Sequence, residues 1–226
     1  VRDAEFLSQV FAKHSITHVI HLAALKDVQE SLINRDEYFD VNVDGLKTIL
    51  SVMRANACWK IIFSSSAAVY GDKAISPISE LSMTAPSNWY GETKLLGEQL
   101  LSVETFKAPP INAISLRYFN VAGNASIPAF DVSPYNLFPN LYRSIQEKKK
   151  FKVFGNSFNT PDGTCIRDYV DVVLLAEAHV TALTELRRGK ELNFSYNLGS
   201  GNGISVNQIM QTARELIDEN LEVEFV

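Results

Sequence analysis

The chain has 226 residues, 46% of them hydrophobic, and a formal net charge of −5, enough to bury a core as one large or two small domains. The acidic balance argues against nucleic acid as a partner, and no apolar run approaches the ~18 residues that a membrane helix needs. The opening VRDAEFLSQVFAKH lacks the basic start and apolar centre of a secretion signal.

Residues 3–14 read as an amphipathic helix with Phe6, Leu7, Val10 and Phe11 on one face. THVIHLAA (17–24) is a short apolar run with β-branched residues, as in a strand buried in a parallel sheet. A long helix is predicted from 36 to 57, followed by the strand WKIIFSSS (59–66), which ends in serines. A polar loop then reaches the helix that begins at Tyr90 and runs to Phe106, ahead of Pro109-Pro110, which cannot continue it. NAISLRYFNV (112–121) is the third strand. After Asn120 come an irregular stretch to Pro134, a helix near 136–147, FKVFG (151–155), IRDYV and a helix over 171–188. KKK (148–150) reads as the solvated end of a helix. SYNLGSGNGISV forms one more strand and turn, and Ser205-x-x-Gln208 is a capping box that opens the last helix.

Strands alternating with helices predict an α/β fold, a doubly wound parallel sheet with right-handed crossovers. The texture changes near residue 121, so residues 1–120, rejoined by 170–198, are expected to form the sheet domain. Residues 121–169 and 199–226 are expected to form a smaller mixed part. Cys58 and Cys165 sit in unrelated contexts, which fits a reducing, cytoplasmic compartment. The histidines at 14, 18, 21 and 179 show no metal-ligand spacing, so no metal is expected.

In open α/β sheets ligands gather beyond the carboxyl ends of the strands. Three polar groups fall there: AALK (23–26), SSS (64–66) and YFN (118–120). Tyr90 and Lys94 are four apart on a helix and point the same way. A free phenol, with a pKa near ~10, is a poor base at neutral pH. An ammonium about 5 Å away, at an effective dielectric of about 20, favours the phenolate by roughly 3 kcal/mol, about two pKa units. A serine hydroxyl both donates and accepts, so Ser66 can relay a proton. YxxxK alone also fits a solvated helix face; joined to a strand-terminal serine in this pattern it points to acid–base chemistry.

The segments FSSSAAVYG, YGETK and LRYFN resemble the extended short-chain dehydrogenase/reductases. AALKDVQES, FGNSFNTPDGTCIRDY and YNLGSGNGISV narrow the resemblance to the UDP-glucose 4-epimerases (UDP-galactose 4-epimerases). It runs in register from residue 2 to about 217, and DGTCIRDY is its most specific element. The resemblance implies a Rossmann-like sheet domain with a substrate-binding part, bound NAD, and inversion of a UDP-sugar at C4 through a transient 4-keto sugar. It makes Tyr90 the base at the 4-hydroxyl, Lys94 the residue that lowers the Tyr90 pKa and bonds the nicotinamide ribose, and Ser66 the bridge between the 4-hydroxyl and Tyr90. Ala23, Ala24, Leu25, Lys26, Asn42, Ser64, Tyr90, Lys94 and Phe119 would lie beside NAD. Lys26, Ser66, Tyr90, Asn120, Asn136, Phe154 and Arg167 would meet the UDP-sugar: Asn120 and Asn136 at the diphosphate, Phe154 on uracil and Arg167 on phosphate. The resemblance also implies a homodimer built on the helices near 36–57 and 88–106.

Each position has a plainer reading as well. Lys26 can be a loop lysine, Asn120 a strand-end cap, Asn136 a helix start, Phe154 core, and Arg167-Asp168 a local ion pair. The family's opening strand, glycine-rich turn and helix have no counterpart here, so the chain alone is expected to hold NAD weakly. The one glycine cluster, Gly199-Ser-Gly201-Asn-Gly203, is GxGxG rather than GxGxxG and matches a later family loop. The chain also stops before further family contacts to sugar and diphosphate. Trp89 replaces the usual proline, Asp171 and Leu174 stand where a histidine and an aspartate are expected, and 124–134 is short. A related 4,6-dehydratase is disfavoured because Ser66-Ala67-Ala68 lacks its acid pair. A 4-epimerase of another UDP-sugar, an N-acetylhexosamine or a pentose, stays open, as does a non-catalytic homologue.

Overall fold

The computed structural model describes residues 1–124, 131, 133, 135–189 and 194–226. The expected short form of 124–134 falls largely outside these. Helix α1 (Ala4–His14) opens on Asp3, whose carboxylate caps the Phe6 amide at 2.8 Å. Then follow β1 (Val19–His21), α2 (Val28–Ile33), α3 (Arg35–Phe39), a π-turn (Asp40–Asp44) and α4 (Gly45–Ala55). Next come β2 (Lys60–Ser66), a 3-10 turn (Ala67–Tyr70), α5 (Trp89–Thr105), β3 (Asn112–Tyr118) and β4 (Asn120–Ala122). The remainder is α6 (Leu137–Glu147), β5 (Phe151–Val153), β6 (Ile166–Asp171), α7 (Val172–Arg187), β7 (Ser195–Leu198), β8 (Gly203–Ser205), α8 (Val206–Leu216) and β9 (Val223–Phe225).

The chain divides into two compact units. The first comprises Val1–Phe119 and Leu175–Leu198, the second Asn120–Leu174 and Gly199–Val226. In the first unit β1-β2-β3-β7 form a wholly parallel sheet, with Ile62 of β2 opposite Ile114 of β3. The apolar runs of β2 and β3 are buried on both faces. Ile61 and Phe63 pack with Phe11, Leu46, Met53 and Leu101 from α1, α4 and α5, whereas Ile62, Ile114 and Leu116 pack with Leu186 of α7. Helices on both faces of a parallel sheet are the doubly wound arrangement that the alternating pattern predicts.

In the second unit β4 runs parallel to β6, β6 antiparallel to β8, and β5 parallel to β9. Leu141, Phe151, Val153, Ile209, Met210 and Leu221 form its core. The Ser205–Gln208 capping box is present at the start of α8, with both reciprocal hydrogen bonds made.

Four local expectations are corrected. The helix over 36–57 is interrupted by the π-turn at Asp40–Asp44, where one extra residue per turn re-aims the side chains. The strand expected to reach 121 ends at Tyr118, because Asn120–Ala122 take β6 as their partner. The single strand expected after 195 is two, β7 and β8, split by the glycine loop. Phe6, placed on the buried face of α1, is 60% exposed, and Phe11 carries the contact.

Candidate active site

The site is assembled in the first unit, where the carboxyl end of β2 meets the first turns of α5. Asn88 starts α5 with its side-chain oxygen on the Gly91 amide at 2.8 Å, satisfying one of the orphan donors of a helix start. Ser31 of α2, fully buried, accepts the Tyr90 amide at 3.1 Å. Trp89 occupies the first helical position. Its indole N–H donates to the Arg35 carbonyl at 2.9 Å, and the Arg35 guanidinium lies 5.7 Å from its ring centroid.

Four and eight residues along this face, Lys94 and Glu98 are buried beside β2. Lys94 Nζ donates to the Ser64 carbonyl at 2.8 Å and lies 5.7 Å from the Tyr90 ring centroid. The Ser66 hydroxyl accepts the Ala68 amide at 3.2 Å and lies close enough to the Tyr90 phenol to favour its ionised form. The structure therefore brings Ser66, Tyr90 and Lys94 together. Close approach depends on glycine: a Cβ on Gly91 would sit 2.6 Å from the Ala68 carbonyl oxygen.

One electrostatic expectation is overturned. The Tyr90 phenol is pushed up from its ordinary value rather than down. Burial is the main cause, the nearby Ser66 hydroxyl pulls the other way, and the neighbouring Tyr118 adds to the rise. Lys94 itself is pushed down to about 8, because burial penalises its charge. Desolvation of both partners outweighs the attraction between them that surface-like spacing suggests. Beneath them His21 stacks on Phe63 with centroids 5.9 Å apart. Burial first, and then the Lys94 charge, push it down to about 4.

The other predicted residues are placed as follows. Ala23, Ala24, Leu25 and Lys26 follow β1 as its carboxyl-end segment, with Ala23 and Lys26 exposed. Asn42, in the π-turn, is buried; its side chain takes the Leu25 amide at 2.8 Å and gives to the Leu25 carbonyl at 2.9 Å and Thr93 at 3.0 Å. Its polar atoms are thus occupied by the protein, bracing the β1 loop against α5. The Ser64 hydroxyl lies 3.3 Å from His179 Nε2, whose ring Nδ1 is 2.8 Å from the Leu175 carbonyl. Phe119, half-buried, is tied by its amide to the Leu198 carbonyl at 3.0 Å.

In the second unit Asn120 opens β4 and is exposed. Asn136 precedes α6 and donates to Asp131 at 2.6 Å instead of capping the helix. Phe154 is 74% exposed and is not core. Exposed Arg167 donates to the Ile166 carbonyl at 2.9 Å. Asp168 serves the glycine loop, accepting the Ser200 amide at 2.7 Å, its hydroxyl at 2.8 Å and the Gly201 amide at 3.0 Å. Those amides are filled by a carboxylate of the chain itself, in keeping with the loop's rejection as a phosphate cradle. Asp171 accepts the Val173 and Leu174 amides at the start of α7.

Residue-by-residue reading of the sequence missed Ser31, Glu98 and Arg117. Two signals pointed at the last pair. Glu98 repeats the Tyr90–Lys94 spacing, and Arg117 is a charge inside an apolar strand, which burial obliges to find a counter-ion.

The sequence profile of the NAD dependent epimerase/dehydratase family matches residues 1–199. The UDP-glucose 4-epimerase of Halalkalibacterium halodurans is 37% identical over 99% of this chain and 68% of its own length; that of Yersinia pestis is 41% identical over 93% and 64%. The crystal structure of UDP-glucose 4-epimerase from Bifidobacterium longum in complex with NAD+ and UDP superposes with a TM-score of 0.89 at 37% identity, covering 100% of this chain and 68% of that one. The chain thus spans about two thirds of the length of these relatives, and its parallel sheet is Rossmann-like. A profile matched over most of the chain, with relatives well above 30% identity, places it in the NAD dependent epimerase/dehydratase family.

Proposed function

We propose that this chain carries the proton-transfer set of an NAD-dependent 4-epimerase that interconverts UDP-glucose and UDP-galactose by transient oxidation at sugar C4. The observation that carries the reading is the convergence of Ser66, Tyr90 and Lys94 where β2 ends and α5 begins, in a family whose near relatives bear that name.

The residues present fit the cofactor. Lys94 spends one of its three N–H groups on the Ser64 carbonyl, leaving donors for a ribose hydroxyl. Small side chains at Ala23 and Ala24 follow β1 at the carboxyl end of the sheet, where the backbone can approach a ligand. Ala23–Lys26, Ser64, Lys94 and Phe119 would hold NAD, with Asn42 bracing the first segment; when bound, NAD supplies reversible hydride transfer at C4.

The chain's own groups handle the proton. Tyr90 takes it from the 4-hydroxyl, with Ser66 bridging the two oxygens, and returns it when the alcohol re-forms. Burial favours the neutral phenol, so Tyr90 acts as the base only as the phenolate, after its own proton has passed to solvent. Lys94, with its acidity brought close to neutrality, keeps a positive charge at hand for the phenolate. Asn120, Asn136 and Arg167 are assigned to the diphosphate, Lys26 to the sugar side, and the uncovered Phe154 ring to uracil, as their positions in the family pattern suggest. The sheet unit is read as the dinucleotide-binding part and the second unit as the substrate part. A cytoplasmic homodimer completes the reading; no described helix is long and apolar enough to cross a membrane.

The test is Tyr90→Phe assayed with UDP-galactose. Turnover is expected to fall ~10²-fold or more, the scale of a positioned acid–base group, with the melting temperature little changed. Retained turnover removes Tyr90 from the chemistry. Comparing UDP-galactose with UDP-N-acetylgalactosamine in the same assay separates the sugar preferences.

A further inference from the structure

Behind the proton-transfer set lies a buried charge cluster that the chemistry above does not use. Glu98 is 3% exposed and Arg117 6% exposed. The arginine fork grips the carboxylate in a two-point pair, Nε to Oε1 at 2.9 Å and Nη2 to Oε2 at 2.6 Å. The Ser65 hydroxyl donates to Glu98 Oε1 at 2.5 Å. Arg117 Nη1 donates to the Tyr70 hydroxyl at 2.9 Å and to the Glu80 carbonyl at 3.3 Å, and Tyr70 passes a hydrogen bond to Asn197 at 2.7 Å.

The location matters more than the strength. A buried ion pair is poor evidence for stability, since taking both charges out of water offsets most of their attraction. A two-point fork does fix distance and angle at once. Here it joins the third strand to α5 one turn beyond Lys94, and through Ser65 to the residue between Ser64 and Ser66. Arg117 also grips the 3-10 turn that follows Ser66. Every element that presents a proton-transfer residue is thus tied to this one pair. Gly97, beside Glu98, lets α5 lie against Phe63, where a Cβ would come 2.6 Å from the ring.

We infer that Glu98 and Arg117 are positioning residues that set the axial and rotational register of α5 on β2, holding Tyr90 and Lys94 at reacting distance from Ser66. The inference rests on the epimerase reading. Misplacement of a catalytic group by about 1 Å can cost turnover on the order of 10²-fold, whereas a purely structural pair would lower stability alone.

The experiment is Glu98→Gln assayed beside the parent with NAD in excess, a change that keeps the shape and unbalances the fork. With UDP-galactose, kcat is expected to fall about 10-fold or more while KM stays within about threefold, the signature of lost geometry rather than lost binding. Glu98→Asp, with charge kept and reach shortened, should not restore the rate. A kcat within about twofold of the parent, whatever the melting temperature, overturns the inference. Should Glu98→Gln fail to fold, Ser65→Ala cuts the link to the strand without exposing a charge. A kcat loss of about threefold or more at unchanged melting temperature supports the inference, and no loss overturns it. If the parent chain turns over no UDP-sugar, the epimerase reading fails on its own. Crystal structures of parent and Glu98→Gln then decide the inference, by whether the Lys94–Ser64 contact at 2.8 Å is lost or kept.

Discussion

Asn42 shows how a single side chain can brace a loop against a helix far along the chain. Its amide completes both backbone groups of Leu25 and reaches Thr93 on α5. Replacing it by Ala leaves the half-buried Leu25 N–H and C=O without these partners, at up to about 1–3 kcal/mol for each unsatisfied group. Asn42→Ala is therefore expected to lower stability by about 2–4 kcal/mol in urea denaturation, with the β1–α2 loop losing amide protection first. A loss under about 0.5 kcal/mol would mean that the brace carries no load. The family pattern marked Asn42, but not this use of it, because the partner Thr93 lies 51 positions away.

Among the elements, α5 carries Tyr90, Lys94 and Glu98, and its glycines Gly91 and Gly97 mark where it lies closest to Ala68 and Phe63. Gly91→Ala would gain about 1 kcal/mol of helix propensity in isolation. In place, the new Cβ meets the Ala68 backbone oxygen at 2.6 Å, and backbone cannot rotate aside as a side chain can. The clash wins: a net loss of about 1–3 kcal/mol is expected, with turnover falling further than stability as Tyr90 is levered from Ser66. Thermal melts and kcat on the same variant check both. The π-turn makes a related point. A 3.6-residue period predicts an unbroken helix over 36–57, and the extra residue at Asp40–Asp44 leaves no mark in that period; Asn42, inside the turn, makes its bonds to Leu25 and Thr93, far along the chain.

Stability of the whole molecule should follow two buried bases. His21 is held near 4, below its unfolded value of 6.5, so between those pH values the unfolded chain binds the extra proton and stability falls as pH drops. Lys94 is held near 8 against 10.5 unfolded. Its burial cost is complete below pH 8 and is relieved as pH rises from 8 to 10.5. One pKa unit is about 1.4 kcal/mol, so each limb spans up to about 3 kcal/mol. Urea denaturation at pH 5, 7 and 10 should show stability climbing across both windows. His21→Gln should flatten the lower limb and Lys94→Met the upper. A Lys94→Met variant with the same rise between pH 8 and 10.5 as its parent would contradict the assignment.

By itself the sequence determined the local and the periodic. Alternation of apolar strands with helices settled the doubly wound sheet, the Ser205–Gln208 cap was legible because capping acts within one turn, and the proximity of Ser66, Tyr90 and Lys94 was legible because strand ends and helix faces have known periods. Tertiary structure alone decided what depends on burial and on partners far along the chain. Whether Lys94 lowers the Tyr90 phenol turns on desolvation, which no spacing reports. That Arg117 meets Glu98, that Asp168 fills the glycine loop, and that Asn120–Ala122 leave β3 for β6 each follow from which surfaces the folded chain removes from water.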